Sequence, residues 1–210
     1  MSIRVPGGVV SPSKAEQRLA TLAAISAEAR RQFARDGYAA VSLAGIVDAL
    51  GLTKGAFYHH FSSKAELFQA VVGQVQRQVA ARVVAAAEEQ PDSWTQLLAG
   101  CEAFLRASAD PAVQRIMLVD GPAVLGWEAW RALDDESSGR HLREALQAVI
   151  DDGVMAPHPV EALTHLLSGA MNEAALWLAG SGDARDLDDA VATLLTMLEA
   201  LRVSVRDGGA

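Results

Sequence analysis

Between Ala40 and Phe68 the chain runs AVSLAGIVDALGLTKGAFYHHFSSKAELF, and a few cap residues and one glycine leave that stretch little choice of fold. Ser42 is an N-cap for a helix whose apolar positions Leu43, Ile46, Val47 and Leu50 share one face, and Gly51 supplies the positive φ that ends it. Leu52 turns inwards. Thr53 is a second N-cap, followed by Lys54-Gly55-Ala56, a turn with one long cation and otherwise almost no side-chain bulk. Phe57 and Phe61, one helical turn apart, point to the core and leave Tyr58, His59 and His60 facing outwards. Ser62 or Ser63 then caps a third, longer helix, with Ser63 and Glu66 spaced as a capping box.

Two short helices joined by a tight glycine turn and followed by a long one make the layout of a helix-turn-helix DNA reader. The bare backbone around Gly55 can approach a groove closely, and phenol and imidazole donors suit phosphate oxygens. Lys64 stands in the first turn of the third helix, where a cation opposes the helix dipole; a phosphate beside it would justify the placement.

From about Arg18 to Phe68 the sequence resembles the DNA-binding domain of the tetracycline-repressor (TetR) family of transcriptional regulators. The resemblance rests on Phe33, Gly37 and Tyr38 as F-x-x-x-G-Y, on the G-L-T-K-G-x-F-Y of the turn and reading helix, and on His60, Phe61 and Lys64 as H-F-x-x-K. It implies DNA contacts from Ser42, Thr53, Lys54, Gly55, Tyr58, His59, His60 and Lys64. Where some members hold a base-reading Arg on the preceding helix, this chain has Ala44 or Gly45, which leaves base reading to the Thr53–Ala56 turn.

Charge has to be divided before it agrees with that expectation. The chain of 210 residues carries a net −8, but residues 1–64 hold eight Lys and Arg against four acids, +4, and the remainder holds ten against 22, −12. An acidic body with a basic end is oriented by DNA as well as held by it. Strand signals are nearly absent and hydrophobic residues make up 50% of the chain, so an all-α fold with one small and one larger domain is predicted. The division expected is a flexible arm over 1–12, a helix-turn-helix domain over 13–62, and an effector-binding and dimerisation domain over 63–210. Cys101, the lone cysteine, excludes an intrachain disulfide, and its neighbours Leu97, Leu98, Phe104 and Leu105 predict a buried thiol rather than a redox sensor. No secretion signal and no membrane-length apolar run appear, so a soluble cytoplasmic protein is expected.

Ser13 with Glu16 predicts a first helix to about Asp36 that packs Leu19, Leu22, Ile25, Ala29 and Phe33 inwards. A long helix from Ser63 to about Gln90 connects head to body, and further helices are predicted near 94–109, 111–119, 127–151, 159–179 and 185–206. In the last, Leu187, Val191, Leu194, Leu195, Leu198, Leu201 and Val205 form a broad apolar stripe; the one before offers Leu163, Leu166, Leu167, Ala170, Met171, Ala174 and Leu178. Such stripes serve equally as intrachain core or as a four-helix contact with a second copy. The family resemblance implies the homodimer, and with it a palindromic operator.

The resemblance also implies a central cavity for a small organic effector. Candidate lining residues are Phe104, Met117, Trp127, Trp130, His141, His165, Asn172 and Trp177, with Trp94 and Arg115 as further neighbours. Catalysis is not expected: there is no H-E-x-x-H, P-loop, G-x-S-x-G or dinucleotide fingerprint, and neither metal nor cofactor is implied. The acids Asp134-Asp135-Glu136 are assigned to an exposed helix end. The expectation is therefore a homodimeric repressor released by an effector; the alternative is a helical protein-interaction or ligand-independent regulatory module with no inducer.

Overall fold

The computed structural model describes residues 13–181, 183 and 185–203, which are helical apart from short connections. The expected arm, and Val205 with the end of the last predicted helix, lie outside the described residues.

Helix α1 (Lys14–Asp36) starts in a complete capping box: Ser13 Oγ accepts from Glu16 N at 3.2 Å and Glu16 Oε2 accepts from Ser13 N at 2.6 Å. Its inward stripe is shorter than predicted. Ile25, Ala29 and Phe33 are fully buried, whereas Leu19 is 65% exposed, because the first turns of α1 project past the helices that would cover them. Helix α2 (Leu43–Ala49) and the five-residue α3 (Lys54–Tyr58) begin at Ser42 and Thr53 as predicted, and α4 (Lys64–Glu88) begins at Ser63. Only half of the box at Ser63 forms. Ser63 Oγ accepts from Glu66 N, but the Glu66 carboxylate reaches back to Ser62, accepting from its N–H at 2.7 Å and its hydroxyl at 2.5 Å.

Helix α4 is the spine. Leu67, Phe68, Val71, Val72 and Val75 are fully buried at spacings that keep them on one side, each worth about 1.5–3 kcal/mol of transfer free energy. Phe68 meets Phe33 edge-on at 5.0 Å and Tyr38 at 4.8 Å, fastening α1 to α4.

The body follows as α5 (Ser93–Ser108), α6 (Pro111–Gln114), a π-helical segment (Arg115–Asp120), α7 (Gly121–Leu125), α8 (Trp127–Asp135), α9 (Ser138–Asp151), α10 (Val160–Gly180) and α11 (Asp186–Glu199); α5, the π-helical segment, α7, α8 and α9 pack on α4, and α10 and α11 pack on α5. Three boundaries differ from the prediction. Asp120-Gly121-Pro122 does not break the chain: Pro122 falls in the first turn of α7, where its missing N–H costs nothing, and helix continues to Leu125. The predicted 127–151 helix is two, broken at Ser137, whose hydroxyl donates to the carbonyls of Leu133 (2.8 Å) and Asp134 (3.2 Å) and so competes with the backbone ladder. Helix α11 stops at Glu199; beyond it Val203 N donates to Val154 O at 2.8 Å and Arg202 bridges to Met155, so the chain turns extended instead of helical.

Candidate nucleic-acid interface and effector cavity

The reading face is built by its caps. Ser42 Oγ accepts from Gly45 N and Thr53 Oγ1 from Ala56 N, both at 3.1 Å, which sets the starts of α2 and α3. Between them Gly51 takes φ 62°, and Leu52 N donates to Val47 O at 3.0 Å, folding the turn tightly. Phe57 is 1% and Phe61 6% exposed, their rings 5.9 Å apart, so α3 is anchored from one side only. Its other side carries exposed Thr53, Lys54, Gly55, Tyr58 and His59, with His60 half-buried. Ser42, Ala44 and Gly45 are exposed on α2. Among the described residues Lys54 has no ion-pair partner. A Cβ on Gly55 would touch nothing closer than Thr53 Oγ1 at 3.9 Å, so the fold does not need glycine there and forgoes about 1 kcal/mol of helix propensity by having it.

Lys64 is placed differently from the other candidates. Its Nζ donates to the carbonyls of Tyr38 and Val41, each at 2.8 Å, and sits 4.1 Å from the Tyr38 ring centroid. The cation that looked misplaced on the dipole thus ties the α1–α2 connection to α4, with at most one N–H left over.

Tyr38 also meets the body through its backbone. Tyr38 N donates to Asp120 Oδ2 at 2.8 Å, and Arg115 Nε lies 3.5 Å from the same oxygen. The Arg115 guanidinium packs closely against Gly37, where any Cβ would collide with it; the φ of 78° at Gly37 disfavours a side chain in any case. Behind Asp120, Trp130 donates from Nε1 to Met117 O at 2.6 Å, and its ring would stand 2.9 Å from a Cβ on Gly121. Trp130 belongs to α8, whose end forms the wall of a cavity.

That cavity, about 320 Å³, lies between α4, α5, α9 and α10. Val83, Leu97, Phe104, Leu142 and Met171 supply apolar walls, with small residues Gly100, Ala145 and Ala148 leaving the space. Asp134 and Ser168 supply buried polar groups, and Glu88, Gln96, Ser138, His141 and Glu144 the rest. Asp134 is not exposed as expected. It is 3% exposed, held by Arg131 Nη1 at 3.0 Å, and burial pushes its carboxyl up to about 6 although Arg131 pulls the other way. Arg131 Nη1 also donates to Ser168 Oγ at 3.0 Å, and Nη2 lies 2.9 Å from His165 Nδ1, so one guanidinium links α8 to α10.

Of the eight effector candidates, Phe104 and His141 line this cavity and the others do not. Met117 and Trp130 fill the core beside α7. Trp127 is 64% exposed, lying on Trp130 at 5.1 Å. His165 faces out beside Glu161, and Trp177 faces out over a second cleft between α10 and α11. Asn172 is buried one turn from Ser168, its Oδ1 without a partner, but does not reach the lining. Of the further neighbours, Arg115 is engaged by Asp120 and Trp94 donates to Glu199 Oε2 at 3.1 Å. Cys101 does line the cavity; burial pushes its thiol up to about 12. The residues missed, Asp134, Leu142 and Ser168 above all, carry no local signature, although the Gly139–Leu142–Ala145–Ala148 spacing marks a face of small and apolar residues.

A buried-anchor, exposed-donor helix pair on a helical body is the architecture of a helix-turn-helix regulator. Residues 25–71 match the family of bacterial regulatory proteins called tetR, and residues 94–201 match the tetracyclin repressor-like C-terminal domain. A TetR-family transcriptional regulator from Pectobacterium atrosepticum is 34% identical, with 93% of this chain and 100% of that one covered at a TM-score of 0.76. The HTH-type transcriptional repressor AcnR of Corynebacterium diphtheriae is 28% identical over 163 residues, 76% of this chain and 82% of that one. TtgR, an HTH-type regulator of Pseudomonas putida, is 44% identical over 57 residues, 27% of each chain. The chain belongs to the TetR family of transcriptional regulators.

Proposed function

We propose that this regulator is a cytoplasmic homodimeric repressor that holds a palindromic operator and is released when a small organic effector occupies the α4–α5–α9–α10 cavity. The observation that carries the reading is the continuity from cavity to head: Asp134 on α8, Trp130 one turn back, Met117 and Gly121 against its indole, and Asp120 on the Tyr38 backbone. An effector that shifts α8 has a packed route to α1, and α4 belongs to both parts, so the separation of two heads follows the state of the body. The cavity favours this over a regulator with no inducer. A division at about residue 62, with the head before it and the effector and dimer functions after it, belongs to the same reading.

DNA contact is assigned to Ser42, Thr53, Lys54, Gly55, Tyr58, His59 and His60, with Lys64 contributing its remaining donor. The α10–α11 face supports dimerisation. Leu166, Trp177 and Met197 are 72%, 52% and 55% exposed there, beside a cleft of about 290 Å³. No described helix is long and apolar enough to cross a membrane. The reading is tested by light scattering and by titration of the chain's own upstream DNA: a dimer that prefers that DNA over random duplex is expected, and Trp177→Glu should give a monomer with much weaker binding. A wild-type monomer with no sequence preference would refute it.

A further inference from the structure

We infer that the cavity selects a lipophilic cation, an apolar skeleton bearing one protonated amine; this rests on the cavity being the effector site. Its ionisable lining consists of Asp134, Glu88, Glu144, His141 and the thiol of Cys101, with no Lys or Arg among the described lining residues. The Arg131 guanidinium behind Asp134 already faces two carboxylates, Asp134 Oδ2 at 3.0 Å and Asp135 Oδ1 at 3.3 Å. Asp135 stands behind the lining, where Arg143 also acts on it, so the lining itself presents carboxylates and no cation among the described residues. Burial away from water makes that excess of carboxylates costly, so a ligand ammonium is attracted and a ligand anion repelled. At the mouth the cation meets a second set of acids: Glu88 is exposed, and Glu144, 60% exposed, lies 3.4 Å from His141 Nδ1. Residues 65–210 carry ten cationic and 22 acidic side chains, so the field of the whole body draws cations to this opening. The apolar walls take the skeleton, and a volume of about 320 Å³ suits a compact one.

Three probes on one skeleton test the selection: naphthylethylamine, naphthylethanol and naphthylacetate, titrated calorimetrically into the full chain near neutral pH. The amine should bind at least about tenfold more tightly than the alcohol, with the carboxylate weakest. Asp134→Asn should bring the amine's advantage below about threefold. Because that change frees Arg131 and can disturb folding, the rim pair Glu88→Gln with Glu144→Gln is the second variant, expected to cut the advantage by about half. Leu142→Trp, which fills the cavity, should remove binding of every probe. Alcohol or carboxylate binding as tightly as the amine, and still lost in Leu142→Trp, overturns the ligand class and leaves the effector cavity standing. Amine binding that survives Leu142→Trp overturns the proposal by placing the amine elsewhere. No binding by any probe at millimolar concentration overturns the ligand class and the effector site together.

Discussion

The carboxylate of Asp120 accepts the backbone N–H of Tyr38 at 2.8 Å, joining positions 82 apart in the chain and tying the body to the turn that ends α1. A charge-assisted bond to a half-buried amide is worth about 1.5–3 kcal/mol. Asp120→Ala should therefore lower stability by about that much, speed hydrogen exchange at the Tyr38 amide, and narrow any difference in DNA affinity between effector-bound and free protein. Asp120→Asn, which keeps an acceptor, should recover part of the protection. Unchanged exchange at Tyr38 in the Ala variant would show that the bond carries no load.

Lys54 and Lys64 should separate cleanly. Lys54→Ala is expected to leave thermal stability alone, lower DNA affinity and change sequence preference, because Lys54 belongs to the base-reading Thr53–Ala56 turn. Lys64→Ala removes the donor to the Tyr38 and Val41 carbonyls and should lower the melting temperature as well. Equal stability of the two variants would contradict the structural role of Lys64.

Asp134 makes an unusual contribution to the pH dependence of stability. Burial raises its carboxyl from 3.8 to about 6, so between those values the folded chain keeps a proton that the unfolded chain has lost. The stabilisation is complete below the unfolded value and disappears as pH rises through about 6, amounting to about 1–3 kcal/mol. Glu28, held at about 2 by hydrogen bonds from Arg31 and Gln32, works in the opposite sense and at lower pH. The melting temperature of Asp134→Asn minus that of the wild type should thus grow more positive from pH 4.5 to 7.5. A difference that is flat with pH would place Asp134 in an ordinary solvated state.

Gln76 on α4 is 1% exposed, and neither its Oε1 nor its Nε2 has a hydrogen-bond partner. Gln76→Met keeps the length of the side chain and removes both orphan atoms. Stabilisation of about 1–2 kcal/mol is expected, raising the melting temperature by roughly 2–8 °C. A fall in melting temperature would mean that water or a ligand occupies the amide.

The reading head was legible in the sequence because its determinants are local. Ser42, Thr53 and Ser63 each accept from an N–H three residues on, Gly51 turns the chain by its own φ, and Phe57 and Phe61 are one helical turn apart. Each of these is decided within a few residues, so order along the chain was sufficient. The same holds for the all-α class and for the burial of Cys101.

Tertiary structure alone decided the partners of Lys64, the burial of Asp134 and the course of the cavity. The cation at Lys64 pairs with carbonyls 26 and 23 positions away, and Arg131 on α8 reaches Ser168 37 positions on. Tryptophans and histidines, conspicuous in the sequence, went mostly to core and surface, whereas the cavity was left by small residues on helices that meet only after folding. A cap is a contact between near neighbours, so composition and spacing settle it; a cavity is the space that distant helices fail to fill, and its walls exist only once those helices have packed.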